Sequence, residues 1–406
     1  MDIKDKLKYY RQSAAEEVKA KQIDIHLVNL TELLHGTLIE KETLPVILIE
    51  SYQAYTPDES EYLAQKKSNI FIPLLTKNQF TKPIPLSDIL IFDLETTGLA
   101  GGTGTYPFLI GFGLFEAGGI RTRQYFLPDF GREISAYLDM RSMLKNTSVL
   151  LTYNGKSFDY PLIRNRMIMN RVDNPFEAHA HLDLLHPARR LWKNTLSSCS
   201  LDNIEEEIFL FGRWKDIDGA LIPSAYFDFL QTGVSEKIEL IISHNQQDIF
   251  SLARLLLYMD QTESGEYGYP RSVSEVSAIL DLAVSTANFD KIASLMIEFT
   301  QRQRKVPAST LMAYSLLLKR HDQWPKAVGI WEVLLNRGEE ILFSFEELAK
   351  YYEHRKKHHE KALEYTNRAI QYIDFINELK EDAKLDEYRQ IFTHRLWRLN
   401  TKIESR

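Results

Sequence analysis

The stretch Ile89-Leu90-Ile91-Phe92-Asp93-Leu94-Glu95-Thr96-Thr97-Gly98 sets two acids at the end of an apolar run. Ile89 to Phe92 are apolar β-formers, so the run reads as a buried strand. Residues two apart on a strand share a face, and Asp93 and Glu95 therefore point the same way. Crowded carboxylates repel, and the strain is relieved by a cation, a retained proton or open water. Taken alone, D-x-E equally fits a solvated strand end before a Thr-Thr-Gly turn. Its meaning depends on what the rest of the chain brings to it.

The 406 residues are 44% hydrophobic and 26% charged, ordinary values for a globular chain of two or three domains. No apolar run approaches the roughly 18 to 20 residues that cross a bilayer. The start, M-D-I-K-D-K-L-K-Y-Y, lacks the apolar core of a signal peptide, so a cytoplasmic protein is expected. The single cysteine, Cys199, excludes an internal disulfide and any multi-thiolate zinc site. A net charge of −7 argues against coating nucleic acid by bulk electrostatics, though not against local grip on phosphates. Between Pro83 and Thr262, 16 lysines and arginines stand against 22 acids, a deficit that two divalent cations would largely cancel.

Segment 1–82 begins with a polar helical stretch and includes strand-like runs such as Leu44 to Glu50; it is expected to be an N-terminal extension whose role is not legible. Segment 83–262 gives I-L-I-F-D-L-E, Y-P-F-L-I-G-F-G-L-F and R-T-R-Q-Y-F-L as successive strands. A helix near Arg132 to Leu144 follows, and then S-V-L-L-T-Y-N. Consecutive strands followed by helix and strand predict a mixed α/β sheet flanked by helices. After the linker T-E-S-G-E-Y-G-Y-P, segment 263–406 reads as helix throughout. Within it, W-P-K-A-V-G-I-W-E-V-L-L and H-E-K-A-L-E-Y-T-N-R-A-I look like copies of one pattern. Their alanines, Ala327 and Ala362, are 35 residues apart, near the roughly 34-residue tetratricopeptide period. Ala313 and Ala349 would let paired helices approach closely, and stacked pairs would offer a protein partner a concave surface. A plain helical bundle is the simpler alternative.

Two further acidic elements accompany Asp93 and Glu95. In Y-N-G-K-S-F-D-Y-P-L-I, a strand ending at Tyr153 runs through a glycine turn into a helix expected near Pro161. Asp159 stands at that helix start, where capping alone would suit it. Capping does not account for Asn154 at the strand end or Phe158 beside the acid. In I-I-S-H-N-Q-Q-D-I-F-S-L-A-R-L-L-L, isoleucines and leucines form a helical apolar stripe. His244 and Asp248, at i and i+4, share one face.

Asp93, Glu95, Asp159 and Asp248, in this order and with these neighbours, resemble the DEDD 3′–5′ exonuclease superfamily of ribonuclease H-like fold. Asp93-Leu94-Glu95 matches its first motif, Asn154 with Phe158-Asp159 its second, and His244 with Asp248 its third. The runs H-L-D-L-L-H-P-A-R-R-L-W, L-I-P and H-N-Q-Q-D-I look similar to the bacterial YprB-like ribonuclease H-like family, over roughly Pro83 to Asp260. One departure is visible. His244 stands four residues before Asp248, the spacing of members that carry tyrosine there; histidine members use five.

The resemblance implies a metal-dependent nuclease, with Asp93 bridging two Mg²⁺ or Mn²⁺ ions. Glu95 and Asp248 would hold the ion that activates water, Asp159 would serve the other, and His244 would orient or deprotonate the water. Elementary chemistry agrees, because two divalent ions about 3.5 to 4 Å apart assist both attack and departure at a phosphodiester. Hard ions of this kind take oxygen ligands. Without metal, each charged pair at 4 Å would cost roughly 4 kcal/mol at an effective dielectric near 20, so the ions are expected to make the cluster tolerable.

Weaker candidates for nucleic-acid contact are Asn154, Phe158, Arg164 and Arg171 near the second motif, and Arg189, Arg190, Trp192 and Lys193 as a basic and aromatic strip. An exposed arginine is usually just solvated, and Trp192 would equally serve the core. His179, His181 and His186 suggest a metal site but fit structural roles better; Asp183 is expected near the acids. L-A-G-G-T-G-T lacks the Lys-Ser/Thr of a phosphate loop and reads as a turn. The function expected is a 3′–5′ exonuclease acting on the 3′ end of DNA or RNA, with a helical tail that recruits it. The alternative is a nucleic-acid-binding adaptor that barely cuts.

Overall fold

A computed structural model describes residues 26–41, 43–98, 104–141, 144–213, 215–265, 272–302, 304–379 and 383–404. The chain divides into two compact units, residues 1–271 and 272–406.

The first unit is built on a seven-stranded sheet. Its strands are β1 (Thr37–Ile39), β2 (Val46–Ala54), β5 (Ile89–Thr96), β6 (Pro107–Glu116), β7 (Gly119–Phe126), β8 (Val149–Thr152) and β9 (Ala180–Asp183), and a separate two-stranded ribbon pairs β3 (Asn69–Ile70) with β4 (Ile84–Pro85). The spatial order is β1-β2-β7-β6-β5-β8-β9. β5 pairs antiparallel with β6 and parallel with β8, and β8 is parallel to β9. The central strands are apolar almost throughout because both faces are covered. On one face Phe92, Phe112 and Phe176 stack at centroid distances of 5.4 to 6.2 Å. The other face carries the 29-residue helix Glu236–Ser264, which packs on β5, β6 and β7.

Two glycines decide how closely that helix lies. A Cβ on Gly111 would stand 2.2 Å from Asn245 Oδ1, and one on Gly113 would stand 2.5 Å from Ile249 Cγ2. Only bare backbone admits the helix at this depth. Gly111 is the cross-strand partner of Asp93, so the approach also brings the helix to the acid.

The boundary expected at residue 82 has no structural counterpart. β2 pairs antiparallel with β7 from Ile47–Phe126 to Ala54–Gly119 and extends the same sheet. The following segment is clamped to the long helix by backbone donors. Phe71 N reaches Asp260 Oδ1 at 2.6 Å, and Leu74 N and Leu75 N reach the two oxygens of Glu263 at 2.8 Å each. Asp260 and Glu263 are buried, and the ladder and these bonds make the early residues part of the first unit.

The described residues of the second unit are helical: Val273–Ser285, Phe289–Gln301, Ala308–Arg320, Trp324–Arg337, Ile341–Lys350, His359–Leu379 and Ala383–Glu404, with Val273–Ser285 packed on the next two helices and each helix from Ala308–Arg320 onward packed on the one that follows it. Ala327, Ala349 and Ala362 are fully buried. Ala313 is exposed, contrary to its expected packing role; the close approach there is made by buried Ser315, which accepts from Trp331 Nε1 at 2.8 Å. No helix among the described residues is long and apolar enough to cross a membrane.

Candidate active site

The carboxyl end of β5, past its pairing with β8 but still paired with β6, carries Asp93 and Glu95 beside two other elements. Parallel β8 delivers the chain to the helix Asp159–Met169, whose first residue is Asp159, two residues before Pro161. The long helix supplies His244 and Asp248. Asn245, fully buried, donates from Nδ2 to Asp93 Oδ2 at 2.7 Å and accepts on Oδ1 from Gln124 Nε2 at 2.9 Å, which fixes the acid against the helix. Glu95, His244 and Asp248 each offer one ligand atom, all within 4.8 Å of one another; this is the group able to hold a metal ion among the described residues. Glu95, Asp159 and Phe158 line a cavity of about 170 Å³.

The electrostatics tie the acids into one cluster. Burial, then the charges of Asp248 and Asp159, hold Asp93 well above the usual carboxylate range. Burial and the charges of Asp93, Asp248 and Asp159 do the same for Glu95. Asp159 is pushed up to about 7, chiefly by burial. Asp248 is also raised by burial, with His244 and Arg213 working against the rise. Carboxyls in this state hold protons or recruit cations.

One cation is already built in. Arg213 grips buried Glu205 with Nε at 2.5 Å and Nη2 at 2.8 Å, and Nη2 also donates to Asp248 Oδ1. Its Nη1 lies 3.3 Å from Asp216 Oδ2 and 3.2 Å from His244 Nδ1. His244 Nδ1 in turn meets Asp216 Oδ1 at 2.8 Å, while Nε2 lies 3.6 Å from Asp248 Oδ2. The expectation that metals alone make the acids tolerable is therefore corrected, since the guanidinium compensates part of the charge on the Asp248 side. Neither Arg213 nor Asp216 sits in a periodic segment, and no local spacing marks them.

Comparison with known proteins fits this architecture. Residues 90–259 match the RNase_H superfamily. The chain is 32% identical over 249 residues to the uncharacterized protein YprB of Bacillus subtilis (strain 168), spanning 61% of this chain and 60% of that protein. It is also 32% identical over 106 residues to the small ribosomal subunit protein mL103 (rPPR7) of Arabidopsis thaliana, 25% of this chain and 24% of that one. The matched parts thus cover less than two thirds of either relative.

Around the four acids, the weaker candidates separate. Phe158 is 48% exposed and Arg164 is exposed, both free to meet a ligand. Asn154 takes a left-handed φ of 62°, which asparagine tolerates, and its N–H donates to Asp183 Oδ1 at 2.8 Å. Asp183 also accepts from Lys156 N and Leu185 N, so it shapes the turn that aims Asp159. Trp192 is 1% exposed and packs on Tyr258, which removes it as a stacking platform. Arg190 donates to the carbonyl of Leu75 and anchors the early segment instead of facing a phosphate. Arg171 lies beyond the end of the helix that bears Arg164, at φ 57°. His181 and His179 bond Thr152 and Thr147 at 2.8 and 3.0 Å, in structural roles. Leu99 to Thr103 of the glycine-rich stretch lie outside the described residues.

Proposed function

We propose that the chain is a metal-dependent nuclease that trims nucleic acid from a 3′ end. The observation that carries this reading is the meeting of Asp93, Glu95, Asp159 and Asp248, from three separate segments, at one partly accessible strand end. Burial and mutual repulsion raise the proton affinity of these acids, the condition in which carboxylates recruit cations, and their oxygen donors suit Mg²⁺ or Mn²⁺. Asp93, Glu95, Asp159 and Asp248 would hold the ions. Such ions supply a hydroxide near neutral pH and compensate charge on the phosphoryl oxygens. Asn245 holds the Asp93 carboxylate in place. Phe158 offers its exposed ring to a terminal base, and Arg164 is exposed on the helix that begins at Asp159. The helical second unit, tetratricopeptide-like in its 35-residue alanine spacing, would hold a protein partner that brings the substrate.

A second reading, a nucleic-acid-binding adaptor that cuts feebly, is favoured by one observation: Arg213 already occupies an oxygen of Asp248. Digestion of labelled single- and double-stranded DNA and RNA with Mn²⁺ separates the two. An exonuclease shortens linear substrates, leaves circles intact and loses activity in Asp93→Asn. If no substrate is degraded and Asp93→Asn behaves identically, the enzyme reading fails.

A further inference from the structure

Histidine at the tyrosine spacing puts an imidazole where a water-activating base would be expected, yet its surroundings fit a different job. His244 and Asp248, four apart on the rigid helix Glu236–Ser264, face the same way. Nδ1 lies nearer to Asp216, at 2.8 Å to one oxygen and 3.0 Å to the other, than to Arg213 Nη1 at 3.2 Å, and the carboxylate can only accept, so Nδ1 donates to it. Asp216 is itself fixed by Ile217 N at 2.8 Å and by Arg213 Nη1 at 3.3 Å. A carboxylate on Nδ1 selects the tautomer whose Nε2 carries a bare lone pair, the arrangement that usually backs a metal-bound histidine. That Nε2 lies 3.6 Å from Asp248 Oδ2. Ligand atoms around one ion, each about 2.1 Å from it, stand roughly 3 to 4.2 Å apart, so the separation suits shared coordination. A Glu95 oxygen lies within 4.8 Å of a His244 ring nitrogen and an Asp248 oxygen.

We propose that His244 is a metal ligand and not the base: its Nε2 joins Glu95 and Asp248 around one divalent ion, and Asp216 orients the ring for it. This rests on the metal-dependent nuclease reading and deepens it, because it names the kind of ion. Mg²⁺ takes oxygen ligands in near-ideal octahedra, whereas first-row transition ions accept imidazole. The position therefore takes a transition ion in preference to Mg²⁺. Arg213 holds Asp248 Oδ1 and leaves Oδ2 for the ion, so the guanidinium need not move.

The test is pulsed electron spin resonance of the full chain with Mn²⁺, using wild-type protein carrying natural or ¹⁵N-labelled histidine. The proposal expects ¹⁴N modulation from a directly bound imidazole that switches to the ¹⁵N pattern on labelling, with no variant needed. His244→Gln loses the modulation while Mn²⁺ still binds through the carboxylates. In competition, displacement of this Mn²⁺ from wild type needs Mg²⁺ in about hundredfold excess or more, and His244→Tyr narrows that gap. Mn²⁺ bound without nitrogen modulation overturns the ligand assignment and leaves the nuclease reading standing. No Mn²⁺ bound at all overturns both.

Discussion

Replacing Arg213 by methionine removes the one guanidinium that touches Glu205, Asp216 and Asp248 together. The largest loss falls on Glu205, which is fully buried and takes two of the guanidinium's donors. Removing one partner of a buried ion pair costs about 3 to 5 kcal/mol, because the survivor is left as an uncompensated charge. Asp248 and Asp216 add less, since their side chains are 17% and 24% exposed and can recruit water. For a unit of this size a urea slope near 3 kcal/mol per molar converts the loss into a midpoint about 1 to 1.7 M lower. The assay is urea unfolding of metal-free full-length protein, comparing wild type, Arg213→Met and the double variant Glu205→Leu with Arg213→Met. The double variant should recover most of the loss, because two apolar side chains replace the pair without an orphan charge. A single variant that loses under about 1 kcal/mol, or a double variant no better than the single, would refute the view that Arg213 is the internal counter-ion of this site.

Gly111→Ala should destabilise the first unit by about 1 to 3 kcal/mol through overpacking against Asn245 and Ile249, whereas Gly104→Ala, with open space around it, should leave the urea midpoint unchanged. Trp192→Ala should cost about 3 to 5 kcal/mol in thermal or urea unfolding, while the folded fraction binds single strands with unaltered affinity. The acids predict a pH signature with a definite sign. Asp159 is raised from 3.8 to about 7, so its favourable contribution is full below pH 3.8 and is lost as pH rises through 7; Asp93, Glu95 and Asp248 act in the same direction. Metal-free protein should therefore weaken between pH 4 and 7 in calorimetric unfolding, and saturating Mn²⁺ should flatten or reverse that slope; a flat metal-free profile would count against a buried acid cluster.

Much of the architecture follows from local pattern. Alternation and apolar runs mark β5 to β8, and the 3.6-residue stripe marks the helix bearing His244 and Asp248, because both signals arise within a few residues. Pairing of β2 with β7 is a contact between distant segments, and nothing in Leu44 to Glu50 says which sheet it joins. The acids can be picked out because each lies in a motif of a few residues, D-x-E, F-D and H-x-x-x-D. Arg213 and Asp216 are not, since a loop positions them and loops carry no periodicity. Trp192 shows the opposite error, where a basic and aromatic composition resembles a binding strip although helix packing turns the indole inward. Asn245 lies next to His244, yet its bond to Asp93 depends on Gly111, far away in sequence.

The most direct measurement is an anomalous difference map from crystals of the full chain soaked in Mn²⁺. The account predicts two peaks about 4 Å apart, with Asp93 touching both, Glu95, His244 and Asp248 around one, and Asp159 at the other. Density elsewhere on the chain, or none beside Asp93, would contradict it.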